Sequence, residues 1–199
     1  MARQYNACLS KVRGSSPPVS FLDELVDWAI TAPDALFAPN AITDIYSSVM
    51  PQLGPYGLPV HRKAVMLEVL RVLPGHESTW NWNEGVHAGK TARKTSHNEE
   101  TGAFQVSADS MDLDKSLKDF VQAAIGATDD ATFIARTKSD HKFAIEYVVR
   151  LLRINIAWNG PISRRRIHGE LKKTAVTEFR NHLQIIGDFA PPPPGIRYA

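Results

Sequence analysis

The sequence has one cysteine, no long apolar run and little net charge, and each shortage excludes a class of protein. Cys8 has no second cysteine to pair with, so a scaffold held by internal disulfides is excluded. No run approaches the roughly 18 consecutive apolar residues of a membrane-spanning helix. The net charge of +2 falls well short of the basic footprint of a nucleic-acid-binding protein. We therefore expect no membrane insertion and no nucleic-acid partner.

The chain does contain the material for one folded domain with a helical core. Its 199 residues are 43% hydrophobic and 22% charged, as in an ordinary globular protein. No internal repeat and no convincing hairpin is present. Apolar residues recur instead at helical spacing, in the segments 20–30, 60–73, 114–125, 140–158 and 169–186. The sequence therefore predicts a mainly α fold.

Polar and proline-rich stretches predict the limits of this domain. Residues 1–20 are polar and contain Ser-Ser-Pro-Pro, a loop signal, with Ser20 able to cap the first helix. Residues 190–199 include four consecutive prolines and are expected to be extended. We predict one domain over residues 21–189. It carries a long irregular loop over 83–101, and a loop of that length is more often functional than idle.

Three short stretches carry a resemblance to a known family. They are His-Glu-Ser-Thr-Trp at 76–80, after a Pro-Gly pair expected to break its helix, Thr-Gly-Ala-Phe-Gln-Val at 101–106, and Ile-Ala-Trp-Asn-Gly-Pro at 156–161. In this order they resemble the lysozyme-like superfamily, most closely its soluble lytic transglycosylases and goose-type lysozymes. Those proteins have an E-S-x-aromatic helix end, a G-x-x-Q-hydrophobic segment and an A-Y-N-A-G-P turn. The resemblance covers roughly residues 61–165, with Trp158 where tyrosine is usual.

The resemblance implies a two-lobed helical fold whose cleft binds and cleaves the glycan strand of peptidoglycan. Glu77 corresponds to the general acid of the family. Gln105 corresponds to a glutamine whose amide binds an N-acetyl sugar. The residues expected to contact substrate are Ser78, Trp80, Phe104, Gln105, Trp158 and Asn159.

A general acid at position 77 must keep its proton near neutral pH. An ordinary glutamate has a pKa of about 4.3 and would be ionised there. Burial against apolar walls raises the pKa of a carboxyl group because it disfavours the charged form. Trp80, Trp82 and Phe104 are the side chains expected to provide that wall.

A second carboxylate would serve as base or nucleophile in a hydrolase. The candidates near the motifs are Glu84, Glu99, Glu100 and Asp109, and we predict Glu100 because it directly precedes the second motif. The histidines at 76, 87 and 97 fit no zinc-binding spacing and no cysteine accompanies them. We expect neither a metal nor a cofactor.

Two alternatives to hydrolysis remain open at this stage. A lytic transglycosylase needs one glutamate only, because a hydroxyl of the substrate closes an anhydro ring. A non-catalytic helical adaptor would instead bind an acidic partner through its basic edge, which includes Arg150, Arg153 and residues 164–166.

The expected substrate lies outside the cytoplasm, whereas the first 18 residues lack the apolar core of a secretory signal. We therefore expect export by another route. An antibacterial toxin delivered into the periplasm of a target cell, as in type VI secretion, is favoured over a lysin acting on the wall after lysis. Such a toxin would need an immunity protein, and we expect it to plug the cleft over Glu77.

Overall fold

Helix α3, Pro59–Glu77, is the centre of the fold. The computed structural model describes residues 2–40, 42–54, 57–85, 95–154 and 160–187. Within that part of the chain, α3 packs against the helices that precede and follow it, and its residues 64–75 are all buried. A helix buried on every side belongs to the interior of a domain.

The remaining helices surround α3. They are α1 (Val19–Thr31), α2 (Ile45–Leu53), α4 (Lys115–Ile125), α5 (Asp130–Ser139), α6 (His141–Ile154), α7 (Gly160–Ser163) and α8 (Lys173–Gly187). Short 3-10 helices lie at Ala7–Leu9, Asp34–Phe37, Ser96–Asn98, Ala108–Leu113 and Arg166–Glu170. The described residues contain no strand, only isolated bridges at Val12–Ser15 and Thr101–Val106. The mainly α prediction is confirmed.

Two helix boundaries differ from those predicted. α1 begins at Val19 with Pro18 before it, so Ser20 lies inside the helix and does not cap it. A proline is well suited to a helix start because its missing N–H group would have no helical partner there. α3 passes through Pro74 and Gly75 and ends at Glu77, because a proline in the last turn removes only one helical hydrogen bond.

Gly75 explains why the end of α3 can be so closely covered. A Cβ atom at this position would lie 2.6 Å from Cγ1 of Val12 and 2.8 Å from Cζ2 of Trp80. Only glycine leaves room for both side chains. The Pro-Gly pair therefore permits close packing here rather than ending the helix.

The N-terminal segment packs onto the helices. Tyr5, Cys8 and Val12 are buried, and the backbone N–H of Cys8 donates to Glu178 of α8 at 2.7 Å. The segment thus covers one side of α8. The predicted proline-rich tail 190–199 and residues 86–94 of the predicted loop lie outside the described residues.

The second half forms an aromatic cluster beside the end of α3. Phe120 of α4 stacks on Phe143 of α6, with ring centroids 5.7 Å apart. Phe133 of α5 meets Tyr147 of α6 edge-on at 4.9 Å. This cluster fixes α4, α5 and α6 relative to one another. None of the helices in the described ranges is both long and apolar enough to cross a membrane.

A buried ion pair ties α3 to two other segments, the N-terminal segment and the one that leads into α8. The guanidinium of Arg71 donates to both carboxylate oxygens of Glu68, at 2.7 and 2.8 Å, and neither side chain has any exposed surface. Arg71 also donates to the carbonyls of Ser10 and Glu170. Glu68 accepts from the backbone N–H of Lys172 at 2.7 Å. The polar atoms of the pair are therefore satisfied by groups that lie far apart in the sequence.

Replacing one member of this pair tests how much the fold depends on it. Glu68→Gln keeps the side-chain size but leaves the Arg71 charge buried without its counter-ion. We expect unfolding free energy to fall by about 3–5 kcal/mol. The matched control is Glu146→Gln, which breaks the partly exposed helical pair with Arg150 and should cost about 0.3–0.5 kcal/mol. Urea denaturation of both variants measures the difference, and similar losses would contradict the expectation.

Candidate functional site

The end of α3 opens into a cavity of about 250 Å³, called the cleft below. It brings together Glu77, Glu100 and Gln105, three residues that the sequence predicted for one site. Ser107, Asp109, Ser110, Leu113 and Gly160 complete its described lining. That lining holds three carboxylates and no lysine, arginine or histidine. The cleft is therefore an acidic site, formed by segments that are distant in the sequence.

A strained turn follows Glu77. Thr79 and Trp80 both adopt left-handed backbone angles, with φ of 56° and 59°. Such angles are unfavourable for L-residues and most of all for a β-branched one such as Thr79. The indole N–H of Trp80 donates to the carbonyl of Arg71 at 2.8 Å, which holds the turn against α3. The chain thus reverses sharply just after the cleft glutamate.

The second motif forms a tight turn closed by paired backbone hydrogen bonds. Thr101 N–H donates to the carbonyl of Val106 at 2.9 Å, and Val106 N–H donates back at 3.2 Å. Gly102 and Gln105 take left-handed φ angles of 69° and 49°. The side-chain amide of Gln105 donates to the carbonyl of Gly102 at 2.9 Å, so this glutamine has a fixed orientation.

Ser78 joins the two motifs. Its hydroxyl donates to the carbonyl of Ala103 at 2.7 Å and accepts from the N–H of Asn81 at 3.2 Å. Gly102 N–H donates to the carbonyl of Glu84 at 2.9 Å. The segment after Glu77 and the turn that carries Gln105 are therefore one hydrogen-bonded unit.

Trp80 and Phe104 belong to the buried core, and Trp82 packs against it. Trp80 is 4% exposed and packs on Gly75, and Phe104 is fully buried. Trp82 stacks on His141 at 4.1 Å and meets Phe104 edge-on at 5.8 Å, away from the cleft lining. None of these rings is in the described lining of the cleft, whose apolar side chain is Leu113. The rings belong to the core because its larger apolar surface competes for them.

Two further predicted substrate contacts, Trp158 and Asn159, lie outside the described residues. Gly160, which follows them directly, lines the cleft. Sequence reasoning gave no role to Ser107 or Ser110, although both lie in the stretch that follows the second motif. Short hydroxyl side chains carry no periodic signal that would have selected them.

Ser110 connects the cleft to the aromatic cluster. Its hydroxyl donates to the carbonyl of Ser107 at 2.6 Å and lies 2.5 Å from the hydroxyl of Tyr147. Because the single proton of Ser110 is used on Ser107, Tyr147 is the donor in the second bond. Burial raises the pKa of Tyr147 above its ordinary range, with the charges of Asp109 and Asp112 adding to the effect. The phenol therefore keeps the proton that it donates.

His97 anchors the segment that leads to Glu100. Its ring nitrogens lie 2.9 Å from Asp130 of α5 and 3.1 Å from Asp112 of the 3-10 helix Ala108–Leu113. Hydrogen bonds to Asp130 and Asp112 raise the pKa of His97 above its ordinary value. Both carboxylates interact most favourably with the imidazolium form. No group of three or more potential metal ligands occurs in the described ranges.

The chemistry available in the cleft is proton transfer and hydrogen bonding by carboxyl, amide and hydroxyl groups. Comparison with family models, curated proteins and solved structures finds no match to this chain. The function must therefore be argued from the cleft and its residues.

Thr79→Gly tests the strain in the turn after Glu77. Glycine adopts left-handed angles freely, so we expect the variant to be more stable by roughly 0.5–1 kcal/mol. The control is Thr174→Gly, in the exposed first turn of α8, which should be less stable by about 0.4 kcal/mol. Thermal unfolding of both variants measures the effects, and a loss of stability in Thr79→Gly would refute the strain.

The anchor at His97 predicts a pH dependence. The folded-state pKa is raised, so the stabilisation is fully present below the unfolded value of about 6.5 and is lost as pH rises through the folded pKa. We expect His97→Gln to lower the melting temperature below pH 6.5 and to have progressively less effect above it. Melting curves across pH 5–9 provide the measurement. A loss of melting temperature in His97→Gln that grows as pH rises would contradict the stabilising role of the His97 imidazolium.

Proposed function

We propose that this protein is a glycosidase that cleaves the glycan strand of peptidoglycan in a muramidase-like reaction. The observation that carries the proposal is that Glu77, Glu100 and Gln105 line one cleft. Glu77 and Gln105 come from two separate motifs that resemble those of the lysozyme-like superfamily, and Glu100 directly precedes the second of them. The two-lobed arrangement of that superfamily, with one lobe around α1, α3 and α8 and the other around α4 to α6, is part of the same proposal.

Glu77 is the general acid in this proposal. Its position at the last residue of α3 supports the role, because the C-terminal end of a helix carries partial negative charge and disfavours an ionised carboxylate. Glu100 and Asp109 line the same cleft, and a carboxyl group close to other carboxylates generally favours its neutral form. A neutral carboxyl group at this position can protonate the departing glycosidic oxygen.

Gln105 recognises the N-acetyl group of the sugar. One amide N–H is fixed on the carbonyl of Gly102, which sets the plane of the side chain. A glutamine amide also has a second N–H and an oxygen with two lone pairs. These groups match the carbonyl and N–H of an acetamido substituent. Ser107 and Ser110 add hydroxyl groups that suit the remaining sugar oxygens.

Hydrolysis is favoured over transglycosylation because the cleft offers a second carboxylate. Glu100 is the proposed base or nucleophile, and Asp109, which accepts a hydrogen bond from Ser107, is the competing candidate. An inverting enzyme separates the two carboxyl groups by about 6.5–9.5 Å and a retaining one by about 5–5.5 Å. A transglycosylase would leave anhydro ends and would not need either residue.

The biological role that fits this activity is an antibacterial toxin or lysin that acts on the cell wall. The partner proposed for a toxin is an immunity protein that covers the cleft over Glu77. Binding of that protein would have to exclude the glycan strand.

Glu77→Gln tests the general acid. The variant is nearly isosteric but cannot deliver the proton, so we expect the release of soluble fragments from purified sacculi to fall at least about hundredfold. Glu100→Gln should also lose activity if the enzyme is a hydrolase, whereas Glu99→Gln, at a neighbouring position outside the cleft lining, should not.

Mass spectrometry of the products separates the outcomes. Reducing ends indicate hydrolysis, and anhydro ends indicate transglycosylation. Parent-like release of fragments by folded Glu77→Gln would overturn the proposal. If the parent protein releases no fragments from sacculi, the non-catalytic adaptor is favoured instead.

A further inference from the structure

A second cavity, of about 230 Å³, lies near the other end of α3 and has the opposite charge. It is called the basic pocket here and is defined by His61 of α3 and by Lys173 and Arg180 of α8. His61 precedes Glu77 by 16 residues, which corresponds to roughly 24 Å along a helix. The basic pocket is therefore distinct from the cleft.

The described lining of the basic pocket holds three basic side chains and no aspartate or glutamate. This differs from a third cavity, between α1 and α6, where the cations have carboxylate partners. There Arg136 pairs with Asp140 at 2.8 Å and His141 pairs with Glu24 at 2.8 Å. The two cations in the basic pocket are Lys173 and Arg180, and cations gathered without an acidic neighbour repel one another, so they favour an added anion.

Arg180 has an unusual partner for a partly buried arginine. Its guanidinium donates to Nε2 of His61 at 3.1 Å. A guanidinium cannot accept a hydrogen bond, so Nε2 of His61 must supply a lone pair and the imidazole is neutral in this arrangement. A neutral ring satisfies one N–H group but does not balance the charge of Arg180.

The Nε atom of Arg180 is buried and has no acceptor among the described groups. Five other described arginines, Arg3, Arg71, Arg136, Arg150 and Arg153, are paired with carboxylates. Arg180 therefore has both an unmatched charge and an unmatched donor in the same pocket. An oxyanion bound in the pocket would balance the charge of Arg180 through the part of the guanidinium that lines it.

We propose that the basic pocket binds the phosphate group of a small soluble molecule, or free phosphate. Arg180 supplies a planar fork of donors suited to phosphate oxygens, and Lys173 supplies a second positive charge. Lys173 is also the first residue of α8, so the helix N-terminus adds its partial positive charge. The cavity volume leaves room for a group attached to the phosphate. The proposal does not depend on the function assigned to the cleft.

Isothermal titration of the full chain with inorganic phosphate, at constant ionic strength, tests the proposal. We expect saturable binding with one site per chain, weakened about tenfold or more by Arg180→Gln, since one charge-assisted hydrogen bond is worth about 1.5–3 kcal/mol. Lys173→Gln, at an exposed position where folding is not at risk, should also weaken binding. Glycerol 3-phosphate in place of phosphate tells whether an attached group improves affinity.

Lys172→Gln is the matched control. It removes the same charge from the adjacent residue, whose side chain does not line the pocket. Binding by this variant should equal that of the parent. No binding of phosphate by the parent, or an equal loss in the Lys172 and Lys173 variants, would overturn the proposal. Melting curves without phosphate establish that each variant is folded.

Discussion

The buried pair of Glu68 and Arg71 is the interaction on which the arrangement of the cleft depends. It is costly to place two charges in a core, and the cost is offset only when every donor and acceptor is satisfied. Here the satisfying groups are backbone atoms of Ser10, Glu170 and Lys172, so the pair fixes the N-terminal segment and the segment before α8 against α3. The carbonyl of Arg71 then receives the indole of Trp80, so the same helical turn also holds the reversal after Glu77.

Rigid support of this kind explains how the cleft tolerates unfavourable backbone angles. Thr79, Trp80 and Gln105 all adopt left-handed conformations, and each costs on the order of 1–2 kcal/mol. Burial of Trp80 and the hydrogen bond between Ser78 and Ala103 offset that cost by keeping both turns in place. Three of the five described non-glycine residues with left-handed φ angles thus lie in the two turns beside the cleft, where they set the orientation of its carboxylate and amide.

Helical periodicity predicted α1, α3, α4, α6 and α8, because the spacing of apolar residues reports directly which face a helix buries. The convergence of Glu77, Glu100 and Gln105 was also foreseen, from motif order. The burial of Trp80 and Phe104 in the core was not predicted. An aromatic residue beyond a helix end can face a cleft or the core, and the sequence pattern is the same in both cases. Glu68 and Arg71 were missed because charged residues on a helix normally indicate a solvated face.

The source of the proton on Glu77 must therefore be reconsidered under the proposed function. Indole rings were expected to exclude water from it, but neither Trp80 nor Trp82 is in the described lining of the cleft. The lining places two other carboxylates in the same small volume, at the negative end of α3. Under the proposed function, repulsion between carboxylates in the cleft would favour a neutral general acid without an apolar wall. Salt screens repulsion between carboxylates but does not change desolvation by a tryptophan. If acidic neighbours are what keep the general acid protonated, the activity should therefore fall as ionic strength rises.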